Sequence, residues 1–174
     1  NLNLWTPACD EQKRPVMVWL HGGGYESGSA IEHIAYEGEN MSRFGDVVTI
    51  SINHRLNIIG YFDLSEFGDE YMNSGNAGGD DIIAALKWIQ ENVEKFGGDP
   101  DNVIIFGQSG GGGKVTTLLQ SPGADGLYAK GYSMSGVLDV ERPTEEESGK
   151  ALAESIMAEL SVSKVKELEE VPYQ

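Results

Sequence analysis

Val103-Ile104-Ile105-Phe106-Gly107-Gln108-Ser109-Gly110-Gly111 is a short apolar run that ends in Gly-x-Ser-x-Gly. Four apolar residues in a row, bounded by glycine, read as a buried strand. A serine at a sharp turn from strand to helix sits in strained backbone geometry, which lifts its hydroxyl above the edge of the sheet. The residues two positions away must then be small, because the backbone passes close to its neighbours. Gly107 and Gly111 meet that demand. In a chain with 23 glycines among 174 residues, the bare pattern arises by chance with odds of roughly one in six. Its weight therefore comes from its position after a strand and before a helix. On that reading Ser109 is a nucleophile.

The glycines that follow point the same way. Gly110-Gly111-Gly112-Gly113 opens the expected helix, which runs through Lys114 to about Gln120 and is ended by Ser121-Pro122-Gly123. Each glycine costs about 1 kcal/mol relative to alanine inside a helix. Something other than helix propensity must require bare backbone there. The functional reading is close approach of a substrate to free N–H groups at a helix N-terminus, where negative charge is favoured. The bland reading is a flexible connector. A phosphate loop is disfavoured, because Lys114-Val115 does not complete G-x-x-x-x-G-K-[ST].

A second glycine turn, His21-Gly22-Gly23-Gly24-Tyr25, also follows an apolar run. Acyl transfer passes through a tetrahedral oxyanion that needs two or three preorganised N–H donors. Consecutive glycines let amides face a reacting carbonyl with no side chain in the way. A further donor is expected from the residue after the nucleophile, Gly110. Tyr25, Glu26 and Met72 are expected to line or flank the pocket.

The apolar runs at 16–20, 47–52 and 103–106 are continuous, as in parallel strands covered on both faces, and a weaker strand candidate runs over 130–134. Ile82, Leu86, Ile89 and Val93 recur at helical spacing and line one face. Gly97 stands where a left-handed residue ends a helix, and Gly98-Asp99-Pro100-Asp101-Asn102 has turn chemistry. Strands alternating with helices give a mostly parallel, doubly wound α/β sheet. From position 139 to 174 the chain carries 10 acidic and 4 basic residues, a net −6 in 36 positions. There Thr144 and Glu147 form a capping-box pattern, Leu152, Ile156 and Leu160 share a helix face, and a short helix is expected over 163–170. This apolar face has no visible partner and is expected to pack on something outside the chain.

The net charge of −16 disfavours nucleic acid and anionic membrane surfaces as partners. No run of 18 apolar residues is present. The single cysteine, Cys9, has no partner for an internal disulfide and reads as a structural thiol, which favours a cytoplasmic setting.

These motifs together resemble the type-B carboxylesterase and cholinesterase family. The likeness runs in order through Leu2-Asn3-Leu4-Trp5-Thr6-Pro7, Pro15-Val16-Met17-Val18-Trp19-Leu20-His21-Gly22-Gly23-Gly24 and Asn53-His54-Arg55-Leu56. It continues through Asn76-Ala77-Gly78-Gly79-Asp80-Asp81, Phe96-Gly97-Gly98-Asp99-Pro100, the Ser109 motif and Ser135-Gly136. The resemblance implies an α/β-hydrolase fold, incomplete in this chain, and a serine carboxylic ester hydrolase needing no cofactor or metal. It implies Ser109 as nucleophile, Gly23, Gly24 and Gly110 as oxyanion donors, and Ser135 as support for the catalytic acid–histidine pair. The family has Glu before the serine and Ala after it, where Gln108 and Gly110 stand here. Gln108 is expected to replace a structural ion pair with neutral hydrogen bonds. His54 stands in place of the usual aromatic.

A serine hydroxyl needs a base, and in this fold the acid and then the histidine follow the serine. All three histidines precede Ser109. His21 is read as shaping the oxyanion loop, His33 as solvated, and His54 as lying just past a strand end. Asp139 and the glutamates after it read as solvated charges. The chain is therefore expected to be an N-terminal-half fragment, in which residues 1–138 hold the nucleophile and oxyanion part. Residues 139–174 would be an acidic helical segment continuing into further sequence. Its expected partners are a small-molecule ester and the remainder of its own chain, and alone it should turn over poorly. The rival readings are a non-catalytic binding domain on the same fold and a truncated, inactive product.

Overall fold

Strand β2 (Arg14–Leu20) alternates strictly between buried and half-buried residues, and the other elements are arranged on its two faces. The computed structural model describes residues 1–136 and 148–172. On one face Val16, Val18 and Leu20 are fully buried with Val48, Ile50 and Ile52 of β3 (Val48–Ile52) and with Val103 and Ile105 of β4 (Gly98–Gln108). Helix α3 (Ala77–Asn92) lays Ile82, Leu86 and Ile89 onto this layer, followed by Val93. Helix α4 (Gly110–Leu118) adds Val115 and Leu118. The second face carries Met17, Trp19, Ile104 and Phe106, which are only half-buried. Trp19 packs there against Phe106 and Tyr36. Helix α1 (Glu39–Gly45) covers the same face at β3, where Ser42 Oγ donates to the carbonyl of Trp5 and lies 3.2 Å from Thr49 Oγ1.

The sheet order is β1-β3-β2-β4-β5, with β1 (Leu2–Trp5) antiparallel to β3 and every other pair parallel, including β5 (Lys130–Met134) against β4. This is the mostly parallel, incomplete sheet expected from the alternation of elements. Two details differ from the sequence expectation. Leu2–Trp5 forms an edge strand, although its alternating pattern is too short to read alone. The segment 98–102 is part of β4 instead of a turn ahead of it. Its turn chemistry survives as a bulge: Gly98 pairs with Arg14 and Val103 with Val16, so extra residues loop out between them. Inside it the Asp101 amide donates to Asp99 Oδ1 at 3.0 Å. Gly97 has φ +76, as a helix terminator should.

Helix α5 (Gly149–Leu160) is capped by Ser148, whose hydroxyl accepts from the Ala151 amide. The Thr144–Glu147 pattern and Asp139 lie outside the described residues. Part of the partner for α5 is in this chain. Ile156 and Leu160 line an apolar groove with Ile58 and Ile59 of α2 (Asn57–Tyr61) and with Phe62 and Leu64. The short 3-10 helix Val165–Glu170 closes this groove, and Tyr71 donates to Glu169 at 3.0 Å. Leu152 stays 52% exposed.

The layer predicts a contrast between two leucines. Leu86→Ala should lower the unfolding free energy by about 2–5 kcal/mol, because it leaves a cavity in a closed core. Leu152→Ala should change it by no more than about 0.5 kcal/mol. Urea titration of both variants in the full-length protein measures the difference.

Candidate active site

Ser109 stands between β4 and α4 with φ 56 and ψ −123, outside the regions an L-residue normally occupies. Such a conformation costs about 1–3 kcal/mol and persists only when its surroundings impose it. Here the Ser109 amide donates to the Met134 carbonyl on β5 at 2.9 Å, and its carbonyl accepts from Gly113 at 3.0 Å. The side chain is exposed, and its hydroxyl has no partner among the described residues.

The bare backbone of α4 has a steric cause. A Cβ on Gly111 would run into the Leu20 carbonyl oxygen, and one on Gly112 would sit 2.8 Å from Ser133 Oγ and 2.9 Å from the Met134 carbonyl oxygen. A Cβ on Gly107 would lie 2.6 Å from the Leu20 carbonyl oxygen. The helix start is wedged between the ends of β2 and β5. Gly111 and Gly112 thus make room for the protein's own chain and drop out of the substrate-approach reading, which Gly110 retains.

Gly110 faces the other glycine loop. A Cβ there would lie 2.5 Å from the Gly24 nitrogen and 3.5 Å from that of Gly23. Gly23, Gly24 and Tyr25 all have positive φ, at 92°, 63° and 70°, which turns this stretch of backbone toward α4. The Gly23 carbonyl accepts from Glu26 and Ser27, whereas the Gly23 and Gly24 amides donate to nothing among the described residues. Gly110 is the first residue of α4, so its N–H has no partner within the helix. Three amides therefore gather beside an exposed serine. The arrangement can stabilise negative charge on an atom bound to Ser109.

Behind the loop lies a polar cluster. His21 and His54 are buried and stacked, with ring centroids 5.0 Å apart. Each Nδ1 lies 2.9 Å from the carbonyl oxygen of the next residue, Gly22 or Arg55, which fits a proton on Nδ1, and each Nε2 is buried without a partner. Burial, and then the charge of Lys114, lowers both imidazoles, that of His54 to about 4. Lys114 is 2% exposed, and its ammonium donates to the His21 carbonyl at 2.9 Å. Burial lowers its pKa to about 8. In the sequence Lys114 bears only on the disfavoured phosphate loop. A lysine directly after four glycines, on a helix opening beneath a sheet, was the available signal.

The other candidates make no hydrogen bond to Ser109 among the described residues. Ser135 directly follows β5 with φ 54 and is exposed, while Ser133 within the strand donates to the Gly112 carbonyl at 3.0 Å. Gln108 is exposed and makes no side-chain hydrogen bond among the described residues, so the expected neutral replacement of an ion pair is not seen there. Tyr25 Oη is 3.2 Å from Thr117 Oγ1, and Glu26 and Met72 point to solvent. His33 is exposed but accepts from the Ala35 amide, capping a turn. Cys9 is exposed, which departs from a structural thiol. Among the described residues no helix is long and apolar enough to cross a membrane, and no cluster of ligating side chains suits a metal.

The carboxylesterase family model matches residues 1–171. The chain is 42% identical over 135 residues to the para-nitrobenzyl esterase of Bacillus subtilis, which covers 78% of this chain and 27% of that protein. It is 46% identical over 151 residues to the medium-chain fatty acyl-CoA hydrolase precursor of Anas platyrhynchos, covering 83% and 26%. Among solved structures, an esterase from Clostridium hathewayi that can hydrolyse aliphatic aromatic polyesters superposes with a TM-score of 0.93 at 52% identity. That match covers 99% of this chain and 35% of the other. The carboxylesterase EST55 of Geobacillus stearothermophilus gives 0.88 at 41% identity, covering 98% and 36%. The chain thus spans about a quarter of the curated relatives and about a third of the solved structures.

The buried imidazoles give a pH signature. The folded state lowers the His54 pKa from 6.5 to about 4, so between these values the unfolded chain binds the extra proton. Stability is full above about pH 6.5 and falls as the pH drops toward 4. At about 1.4 kcal/mol per unit the whole shift is worth about 3 kcal/mol. In His54→Phe the loss of unfolding free energy between pH 7 and pH 4.5 should shrink by about 2 kcal/mol, as read by urea midpoints at the two pH values.

Proposed function

Because this chain belongs to the carboxylesterase family, we propose that the protein containing it hydrolyses carboxylic esters through an acyl-enzyme on Ser109. The observation that carries the proposal is the convergence of one exposed, backbone-strained serine with the amides of Gly23, Gly24 and Gly110, unpaired among the described residues. In the proposed reaction Ser109 Oγ attacks the ester carbonyl carbon while a base takes its proton. The carbonyl oxygen becomes an oxyanion held by the three N–H groups, and such donors strengthen as charge develops. The C–O bond to the alcohol breaks, the base returns the proton to the leaving alkoxide, and the acyl group stays on Ser109. Water, activated by the same base, then releases the acid.

The base is assigned to a histidine outside this chain. His21 and His54 face neighbouring carbonyls through Nδ1 and are held neutral by burial, and His33 caps a turn. Neither His21 nor His54 hydrogen-bonds Ser109. In the proposed division, residues 1–138 form the nucleophile and oxyanion part. The acidic segment 139–174 continues the same domain, as the apolar groove shared by α5 and α2 supports. Ser135, at the same end of the sheet as Ser109, is proposed to steady the acid–histidine pair. The small ester is the only partner proposed besides the rest of the chain.

A fluorophosphonate probe applied to the full-length protein should label Ser109, as located by peptide mass spectrometry. Ser109→Ala should abolish the label and lower kcat on p-nitrophenyl butyrate by about 10⁴-fold or more. A full-length protein that takes no adduct at Ser109 is instead a binding domain.

A further inference from the structure

We propose that Lys114 is a positioning residue that locks the two halves of the oxyanion site together and places a buried positive charge behind them. The inference rests on the proposed acyl-enzyme chemistry at Ser109. Lys114 lies one helical turn after Gly110 on α4, so it moves with one of the three amides. Its ammonium is bound across 93 positions of sequence to the carbonyl of His21, whose peptide leads directly into Gly22-Gly23-Gly24 and the other two. A hydrogen bond of 2.9 Å thus ties the loop to the helix that the close packing has already brought beside it. The ring of Tyr25, the residue after the glycines, covers the ammonium at 5.4 Å. The loop is gripped at both ends.

The charge itself is unusual. Lys114 makes no ion pair among the described residues, and burying an unpaired ammonium is costly. The groups around it are His21 at the end of β2, His54 past β3, Tyr25 on the loop and Tyr61 on α2. Burial keeps both histidines neutral and raises the two phenols, so none supplies a negative charge near neutral pH. Asp81 on α3 is taken by Arg55. A methionine would fill the same space more cheaply. What the lysine adds is a rigid tie and a positive potential in a water-poor region, where charge acts most strongly on a developing oxyanion.

The chemistry makes the tie sensitive to pH. Loss of the proton near pH 8 removes the charge and weakens both the hydrogen bond and the contact with Tyr25.

The test uses the full-length protein and p-nitrophenyl acetate. Lys114→Met should lower kcat by about tenfold or more with KM within about twofold, since misplaced donors cost most in the transition state. Its thermal midpoint should be unchanged or higher, which separates positioning from a plain structural role. The wild type should lose rate as the pH rises through about 8, and Lys114→Met should lack that limb. Unchanged kcat, or a limb that persists in the variant, overturns the inference while leaving Ser109 in place. If the variant does not fold, the wild-type profile decides alone, and no loss of rate above pH 8 overturns the proposal. Turnover that survives Ser109→Ala overturns the acyl-enzyme reading and this inference with it.

Discussion

The close passage of α4 beneath the ends of β2 and β5 is the constraint from which the rest follows. Gly111 has no room for a Cβ because the Leu20 carbonyl is there, and Gly112 is pressed by Ser133 and Met134. This contact sets where α4 begins, and therefore how far Ser109 is lifted and bent. It also sets Gly110 against Gly24. A helix one side chain further from the sheet would keep its hydrogen bonds and lose the site. Packing density here is the source of geometry, as interiors with few voids transmit position well.

That constraint accounts for features that sequence patterns alone treat as separate. The strained serine is held by the Met134 carbonyl on one side and by the first turn of α4 on the other. The free amides of the second loop come from three consecutive positive φ angles, which two glycines and one tyrosine provide. Tyrosine at φ 70 is expensive, and its ring over Lys114 and its hydroxyl near Thr117 are what offset it. Loop, helix and lysine form one unit.

Much of this was legible because the residues concerned obey short-range rules. The strands at 16–20, 103–106 and 130–134, the face Ile82-Leu86-Ile89-Val93 and the stop at Gly97 are all set by periodicity or by a required φ. What escaped depended on long-range contacts. Residues 98–102 have turn chemistry, yet pairing with Arg14 drew them into β4 as a bulge. Leu2–Trp5 is a strand because β3 was available to pair with it. Gln108, expected to replace an ion pair with neutral hydrogen bonds, is exposed, while Lys114, a type that is seldom buried, is 2% exposed. The reason for the glycine run was also mistaken in part, because sequence shows that bare backbone is needed but not which neighbour needs it.

The same glycine run bears on the order of events during folding. Four consecutive glycines remove about 4 kcal/mol of intrinsic helix stability from the first turn of α4, more than a nine-residue helix can supply by itself. The helix that presents the serine is thus a product of the assembled sheet and not a nucleus for it. Its supports lie on β2 and β5, far apart in the chain, so loop closure must precede it. Ser109 therefore acquires its strained backbone geometry only once β2 and β5 are in place. An incompletely folded chain, in which β2 and β5 have not yet met α4, lacks the contacts that impose φ 56 on Ser109.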